Sequence, residues 1–143
     1  MLTQNIRTSA KKKTLIKHLP LGTVYCMLPD RYPLLMSFYK CLPQLLMGNG
    51  VLVRHAHTNL GVSREVEKIM RRAGFESGDY QTVWNDHKHT EMIIGNPQIT
   101  GVSFTGSTAK ASVVAALAGK YLKRSQIAGS MRSLMLVLED GNV

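Results

Sequence analysis

The chain has 143 residues, a length that suits one domain, and 44% of them are hydrophobic, which is enough for a packed core. No continuous apolar run reaches the ~18 to 20 residues that a membrane helix needs, which excludes a helical membrane protein. The formal net charge of +9 favours phosphate-bearing or polyanionic partners, but it does not determine the fold.

Residues 1–17 are predicted to form a basic N-terminal arm, with Lys11, Lys12 and Lys13 in a row. No long apolar run ending in a small-residue cleavage site follows this cluster, so we expect no secretory signal. The two cysteines, Cys26 and Cys41, lie within apolar segments, which indicates buried thiols rather than a disulfide framework. We therefore expect a cytoplasmic protein.

Short strand-like runs alternate with longer helical runs from residue 18 onward. Residues 22–28 are predicted to form the first strand, and residues 34–47 a helix that Pro43 either kinks or starts late. Gly48 and Asn49 then tolerate the left-handed conformation with which many helices end. The later predicted strands are at 51–54, 80–84, 101–104 and 134–138. The later predicted helices are one that Thr58 or Asn59 caps and that runs to about residue 73, and two more at 90–94 and 108–120.

This alternation predicts an α/β fold of the Rossmann-like kind, a parallel sheet with helices on both faces, because strands with continuous apolar runs are covered on both sides. Right-handed crossovers place the carboxyl ends of all the strands at one edge of the sheet, where ligands of such folds bind. We expect residues 29–31, 54–57 and 105–108 to converge at that edge.

The most specific chemical feature is the turn from Thr105 to Thr108, T-G-S-T, between a predicted strand and a predicted helix. Glycine at 106 lets the backbone approach a ligand closely. The first N–H groups of the helix have no partner and the helix dipole places about half a positive charge there, which suits a pyrophosphate. The alternative is an ordinary helix start that the hydroxyls of Ser107 and Thr108 cap.

An ordered series of motifs contains this turn. Its members are L-P-L-G at 19–22, P-x-x-Y-P at 29–33, L-P-x-L-L-x-G-N-x-V-L-V-R-H-A at 42–56, R-R-A-G-F at 71–75, I-x-G-V-S-F-T-G-S-T at 99–108 and V-L-E-D at 137–140. The series resembles the NAD(P)-dependent aldehyde dehydrogenase family, and within it the succinate-semialdehyde type. The resemblance implies a Rossmann-like NAD(P)-binding domain over residues 18–143, an incomplete form of the family fold.

The resemblance also implies which residues contact the cofactor. Pro29 and its neighbours would pass backbone groups along the nicotinamide side. Phe104, Gly106 and Ser107 would hold the pyrophosphate and ribose region.

Two further positions imply a preference between the two dinucleotides. Arg54 occupies the place of a family lysine that contacts the adenosine ribose. His57 stands where NAD-preferring members often carry a glutamate that bonds the ribose 2′-hydroxyl. Since Arg54 and His57 would tolerate a 2′-phosphate that a carboxylate repels, we expect NADP to be favoured over NAD.

Several positions depart from the family pattern. The family's oxyanion-binding asparagine is Arg31 here, preceded by Asp30, and the glycine one turn into the cofactor helix is Ala111. The family's general-base glutamate is Ala128, which cannot take a proton. The family's nucleophilic cysteine would follow Val143. The resemblance thus implies no catalytic residues in this chain: a truncated, degenerate cofactor-binding portion that is inactive alone.

Three hypotheses stay open at this point. In the first, the chain is a truncated, degenerate fragment without catalysis of its own that retains weak affinity for NAD or NADP. In the second, it supplies the cofactor half to a separately encoded catalytic half, or associates with itself. In the third, it is a basic module for nucleic acid or an acidic partner, for which the charge is the feature. The pairs His55-x-His57 and His87-x-His89 have zinc-binding spacing, but no visible cysteine or carboxylate set completes a site, which favours loop histidines and no metal.

Overall fold

The computed structural model describes residues 3–9, 12–130, 134 and 136–141. Its centre is a sheet of five parallel strands: β3 (Thr23–Met27), β4 (Gly50–Arg54), β5 (Tyr80–Thr82), β6 (Ile99–Thr105) and β7 (Arg124–Ala128). The strand order is β5-β4-β3-β6-β7, so the chain moves outward from β3 first in one direction and then in the other. This reversal beside β3 is the place where such sheets open a crevice for ligands.

The helices cover both faces of this sheet. They are α1 (Pro33–Leu46), α2 (Leu60–Arg72), α3 (Thr90–Gly95) and α4 (Thr108–Lys120). Alternate residues of β3 enter two separate cores: Val24 and Cys26 pack with residues of α1 and α2, whereas Tyr25 and Met27 pack with residues of α3 and α4. The predicted α/β fold, with a parallel sheet and helices on both faces, is confirmed.

The basic N-terminal segment contains structure that the sequence analysis did not predict. Strands β1 (Thr3–Ser9) and β2 (Lys12–Lys17) pair antiparallel in a two-stranded sheet of their own. In the described ranges, no helix combines the length and the apolar character that crossing a lipid bilayer requires.

The last strand differs from the prediction. The described residues between 134 and 138 lie outside any strand, and the fifth strand of the sheet is β7, ten residues earlier. The segment of β7, R-S-Q-I-A, is poor in apolar residues because it forms an edge strand whose first three residues are exposed. Leu134 and Leu136, which suggested a buried strand, are 99% and 82% exposed.

The end of α1 is tied to the start of β3 by one buried amide. Gly48 has a φ of +82°, as the predicted left-handed helix end requires. Asn49 follows it and is only 8% exposed. Its Oδ1 accepts hydrogen bonds from the backbone N–H groups of Leu21 (2.6 Å) and Gly22 (3.1 Å), and its Nδ2 donates to Gln44 Oε1 (3.0 Å). Asn49 therefore fixes the chain where it enters the central strand.

Candidate functional site

A cleft of about 350 Å³ lies at the carboxyl ends of β3, β4 and β6. It is lined by Met27, Leu28, Pro29, Asp30, Arg54, Ala56, His57, Thr58, Phe104, Thr105, Gly106, Ser107 and Lys110. All six residues to which the sequence analysis assigned cofactor contacts are in this lining. They come from the carboxyl ends of β4 and β6 and from the loops after β3, β4 and β6, are up to 78 positions apart in the chain, and are brought together by the parallel sheet.

The first turn of α4 forms one wall of the cleft. Ser107 is its N-cap residue, with φ −66° and ψ 150°, and its side chain makes no capping hydrogen bond. The geometry therefore does not support the alternative in which the Ser107 hydroxyl caps the helix. The N–H of Gly106 donates to the carbonyl of Ala128 (3.1 Å), so it is already used to hold β7. An anion in the cleft would instead meet the N–H groups of the first helical turn.

Gly106 lies directly against the ring of Phe104. A Cβ atom at position 106 would stand 2.7 Å from Cζ of that ring and 3.2 Å from Cε1. Phe104 is 5% exposed and belongs to the core beneath α3 and α4. The ring therefore forms the floor of the turn, and only glycine leaves it in place.

Arg54 reaches the cleft from the end of β4 and is only 7% exposed. Its Nε donates to the carbonyl oxygen of Asn85 (3.1 Å), and its own carbonyl accepts from the N–H of Leu28 (2.9 Å). The side-chain oxygen of Asn85 also accepts a hydrogen bond from the hydroxyl of Tyr25 (3.4 Å). Burial raises the pKa of that hydroxyl above its usual value. The loop that contains Asn85 thus holds the Arg54 guanidinium at a fixed place beside the cleft.

His57 also lines the cleft, from a 3-10 turn at His57–Asn59 that follows β4. Its Nε2 is 3.8 Å from Oδ1 of Asp86, and both side chains are more than half exposed. Of the two predicted cap residues, Asn59 occupies the N-cap position of α2, but its side chain makes no capping hydrogen bond there. Its Nδ2 donates instead to the carbonyl oxygen of Asp30 (2.8 Å), which joins the loops after β3 and β4.

The residues that depart from the family pattern lie around the same edge. Asp30 lines the cleft and brings a carboxylate to it, whereas the exposed Arg31 is outside the lining. Ala128 pairs with Thr105 across β6 and β7, next to the glycine turn. The side chain at the end of β7 is therefore a methyl group, which accepts no proton.

The sequence analysis missed a second cavity that adjoins the cleft. This apolar pocket, of about 520 Å³, is lined by Met27, Arg54, Lys88, Thr90, Glu91, Phe104, Ala109, Lys110, Val113, Val114 and Leu117. The spacing of Ala109, Val113 and Leu117 at every fourth position of α4 is the signal that would have revealed it.

A buried lysine was also missed. Lys40 of α1 is 9% exposed, and its Nζ donates to Oε1 of Gln126 (3.3 Å), which also accepts from the hydroxyl of Ser103 (3.2 Å). A buried lysine is uncommon and is normally paired. Lys40 is the one charged residue of α1, and a lone lysine in a largely apolar helix is usually exposed, so the sequence gave no indication of its burial.

The two members of the first histidine pair are in different environments. His55 is 3% exposed, its ring nitrogens have no hydrogen-bond partner among the described residues, and burial lowers its pKa. His57 is exposed, so the two imidazoles do not share one environment. In the part of the chain that the structure describes, no three His, Cys, Asp or Glu side chains group closely enough for a metal ion.

Comparison with known proteins places this geometry in a family. The sequence model of the aldehyde dehydrogenase family matches residues 1–143. A succinate-semialdehyde dehydrogenase (NADP(+)) from Deinococcus radiodurans is 32% identical over 127 residues, which are 87% of this chain and 27% of that protein. A succinate semialdehyde dehydrogenase (NAD(P)+) from Escherichia coli K12 is 27% identical over 92% of this chain and 29% of its own length. The chain thus spans less than a third of these relatives.

Solved structures show the same fold. A succinic semialdehyde dehydrogenase from Streptococcus pyogenes, crystallised with NADP+, superposes with a TM-score of 0.88 over 97% of this chain and 30% of its own, at 19% identity. A succinate-semialdehyde dehydrogenase from Burkholderia pseudomallei gives 0.87 over 97% of this chain and 29% of its own, at 25% identity. Together with the family match over all 143 residues, these similarities confirm the resemblance seen in the motifs: the chain belongs to the aldehyde dehydrogenase family.

Proposed function

We propose that the cleft binds the dinucleotide NAD or NADP, with the pyrophosphate at the first turn of α4. The observation that carries the proposal is the convergence of Pro29, Arg54, His57, Phe104, Gly106 and Ser107 on one cleft at the carboxyl edge of the sheet. Relatives and structural neighbours carry NAD or NADP in their names or titles, which supports the same ligand class here.

The charges around the cleft support an anionic ligand. The positive end of the α4 dipole and the cations of Arg54 and Lys110 face it, against the single carboxylate of Asp30 in the lining. Phe104 forms an apolar floor, and the adjoining pocket is also apolar. Both offer the ring systems of the ligand an apolar surface to pack against.

Titration of the 143-residue chain with NADP+ and with NAD+ by isothermal calorimetry tests the proposal. We expect saturable binding of both dinucleotides. No saturable heat with either one up to millimolar concentrations would contradict it.

We further propose a preference for NADP, which rests on Arg54 and on the absence of a carboxylate at position 57. Changing His57 to Glu would place a negative charge beside the 2′-phosphate; at this exposed site we expect NADP+ to bind about tenfold more weakly. The affinity for NAD+ should change less than about twofold, since NAD+ carries a hydroxyl there. Calorimetric titration of both dinucleotides measures the two ratios.

The exposed His18 provides the matched control, because His18→Glu makes the same charge change outside the cleft lining. It should leave both affinities unchanged. An equal loss of NAD+ and NADP+ affinity in His57→Glu would contradict the NADP preference.

For the reaction, we propose that the chain takes part in the NAD(P)+-dependent oxidation of an aldehyde to a carboxylic acid. The names of the relatives suggest succinate semialdehyde as the candidate substrate. We propose too that this chain alone binds the cofactor without oxidising the aldehyde. Ala128 cannot act as a base, and the charged Arg31 cannot replace an amide that donates to an oxyanion. NAD(P)H formation from succinate semialdehyde above the rate without protein would overturn this second part.

The proposed partner is a separate catalytic half or a second copy of the chain. Several apolar side chains of α1 face solvent, among them Leu35, Tyr39 and Leu46, which are 63%, 68% and 72% exposed. Apolar surface of this extent favours association.

The free, buried thiols of Cys26 and Cys41 support a reducing compartment, and we propose the cytoplasm.

A further inference from the structure

The cleft and the apolar pocket meet along a shared boundary. Four residues line both cavities: Met27, Arg54, Phe104 and Lys110. Two of them are apolar and form the floor, and the other two carry positive charge. A ligand with its phosphates in the cleft and a ring in the pocket would cross the boundary that Arg54 and Lys110 line.

Lys110 is the cation at this boundary whose position local structure does not explain. It is the third residue of α4, where a positive charge is unfavourable next to the positive end of the helix dipole. Its exposed ammonium forms no hydrogen bond or ion pair within residues 3–9, 12–130, 134 and 136–141. The other charged residues of the pocket rim are paired: Lys88 Nζ lies 3.7 Å from Asp86 Oδ2, and Glu91 Oε1 lies 2.7 Å from Lys120 Nζ.

An anionic group at the boundary would remove this unfavourable interaction. It would be attracted by the Lys110 ammonium and by the N–H groups of the same helical turn, which a side chain of Ser107 does not cap. The lysine stem would meanwhile cover part of the apolar wall made by Ala109 and Val113. A lysine at this position can contact a phosphate with its ammonium group and line the pocket with its stem.

We propose that Lys110 binds the pyrophosphate of the dinucleotide where it passes from the cleft to the apolar pocket. This inference rests on the proposed function, and it adds a binding residue that the family motifs did not indicate. Because the pyrophosphate is common to NAD+, NADP+ and ADP-ribose, Lys110 strengthens the binding of all three ligands alike.

The test uses Lys110→Met, which keeps a long apolar side chain and removes the charge. We expect it to weaken NAD+, NADP+ and ADP-ribose by a similar factor of about ten, as for the loss of one charge-assisted hydrogen bond at a partly open site. Lys110→Arg should restore affinity to within about threefold of the parent. Calorimetry at low salt measures the three dissociation constants.

The matched control is Lys68→Met, which removes an exposed lysine of α2 that pairs with Glu65 and is outside both cavities. It should leave all three affinities unchanged. Equal affinities in Lys110→Met and the parent would overturn the inference, and so would a loss confined to NADP+, which would assign Lys110 to the 2′-phosphate. A parent chain that binds none of the three ligands overturns the proposed function itself, an outcome distinct from both.

Discussion

Replacing Gly106 with alanine is expected to weaken the binding of NAD+ and NADP+ by at least about tenfold. The new Cβ would stand 2.7 Å from Cζ of Phe104, so the ring or the turn has to move. Phe104 is the floor of the cleft and of the apolar pocket, and a shift of either element displaces the N–H groups that face the pyrophosphate. Overpacking of this kind also lowers the free energy of unfolding by about 1 to 3 kcal/mol.

Gly119 offers the same substitution without the contact. It lies near the end of α4, and a Cβ built there meets no other atom within 4 Å. Gly119→Ala should leave both affinities unchanged and raise the free energy of unfolding by about 0.5 to 1 kcal/mol, because alanine favours a helix interior. Calorimetric titration and urea unfolding compare the two variants. If Gly106→Ala binds as Gly119→Ala does, the turn does not hold the ligand.

Replacing Asn49 with alanine is expected to produce the largest loss of stability. The substitution leaves the half-buried N–H groups of Leu21 and Gly22 without their acceptor. Each unpaired group costs about 1 to 3 kcal/mol, so we expect the free energy of unfolding to fall by about 2 to 4 kcal/mol. Gly22 has a φ of +121°, which makes this entry to β3 dependent on the bonds that hold it.

Asn96 is the matched control, since its Oδ1 also accepts from a backbone N–H, that of Gln98 (2.9 Å), but at an exposed turn. Water can replace that acceptor, so Asn96→Ala should change the unfolding midpoint much less. Urea unfolding followed by far-UV circular dichroism measures both variants. Similar midpoints for Asn49→Ala and Asn96→Ala would show that the buried amide does not fix the chain.

The sequence predicts an element correctly where the residues of the segment themselves favour the structure that it adopts in the fold. The α4 bounds of Thr108–Lys120 match the prediction because a glycine turn precedes the helix and a continuous run of helix-forming residues fills it. The β7 strand could not be predicted, because pairing with β6 stabilises a segment whose own composition is polar. The apolar residues 134–138 suggested a strand, yet a continuous apolar run alone does not specify a partner.

Much of the candidate site could be predicted because its residues follow strands directly, and all parallel strands end at one edge. Gly106 and His57 are of this kind. Lys110 and the apolar wall at Val113 could not be placed, since the side of α4 that faces the pocket is set by packing against the sheet. The bond from Arg54 to Asn85 joins positions 31 residues apart, and no motif contains both.

The most direct test of dinucleotide binding at the start of α4 is an ADP-ribose titration followed by the backbone amide resonances of the ¹⁵N-labelled chain. We expect saturable shifts that are largest for residues 106–110 and extend to Arg54 and His57. Shifts that are absent up to millimolar ligand, or that are centred on the exposed face of α2, would contradict it.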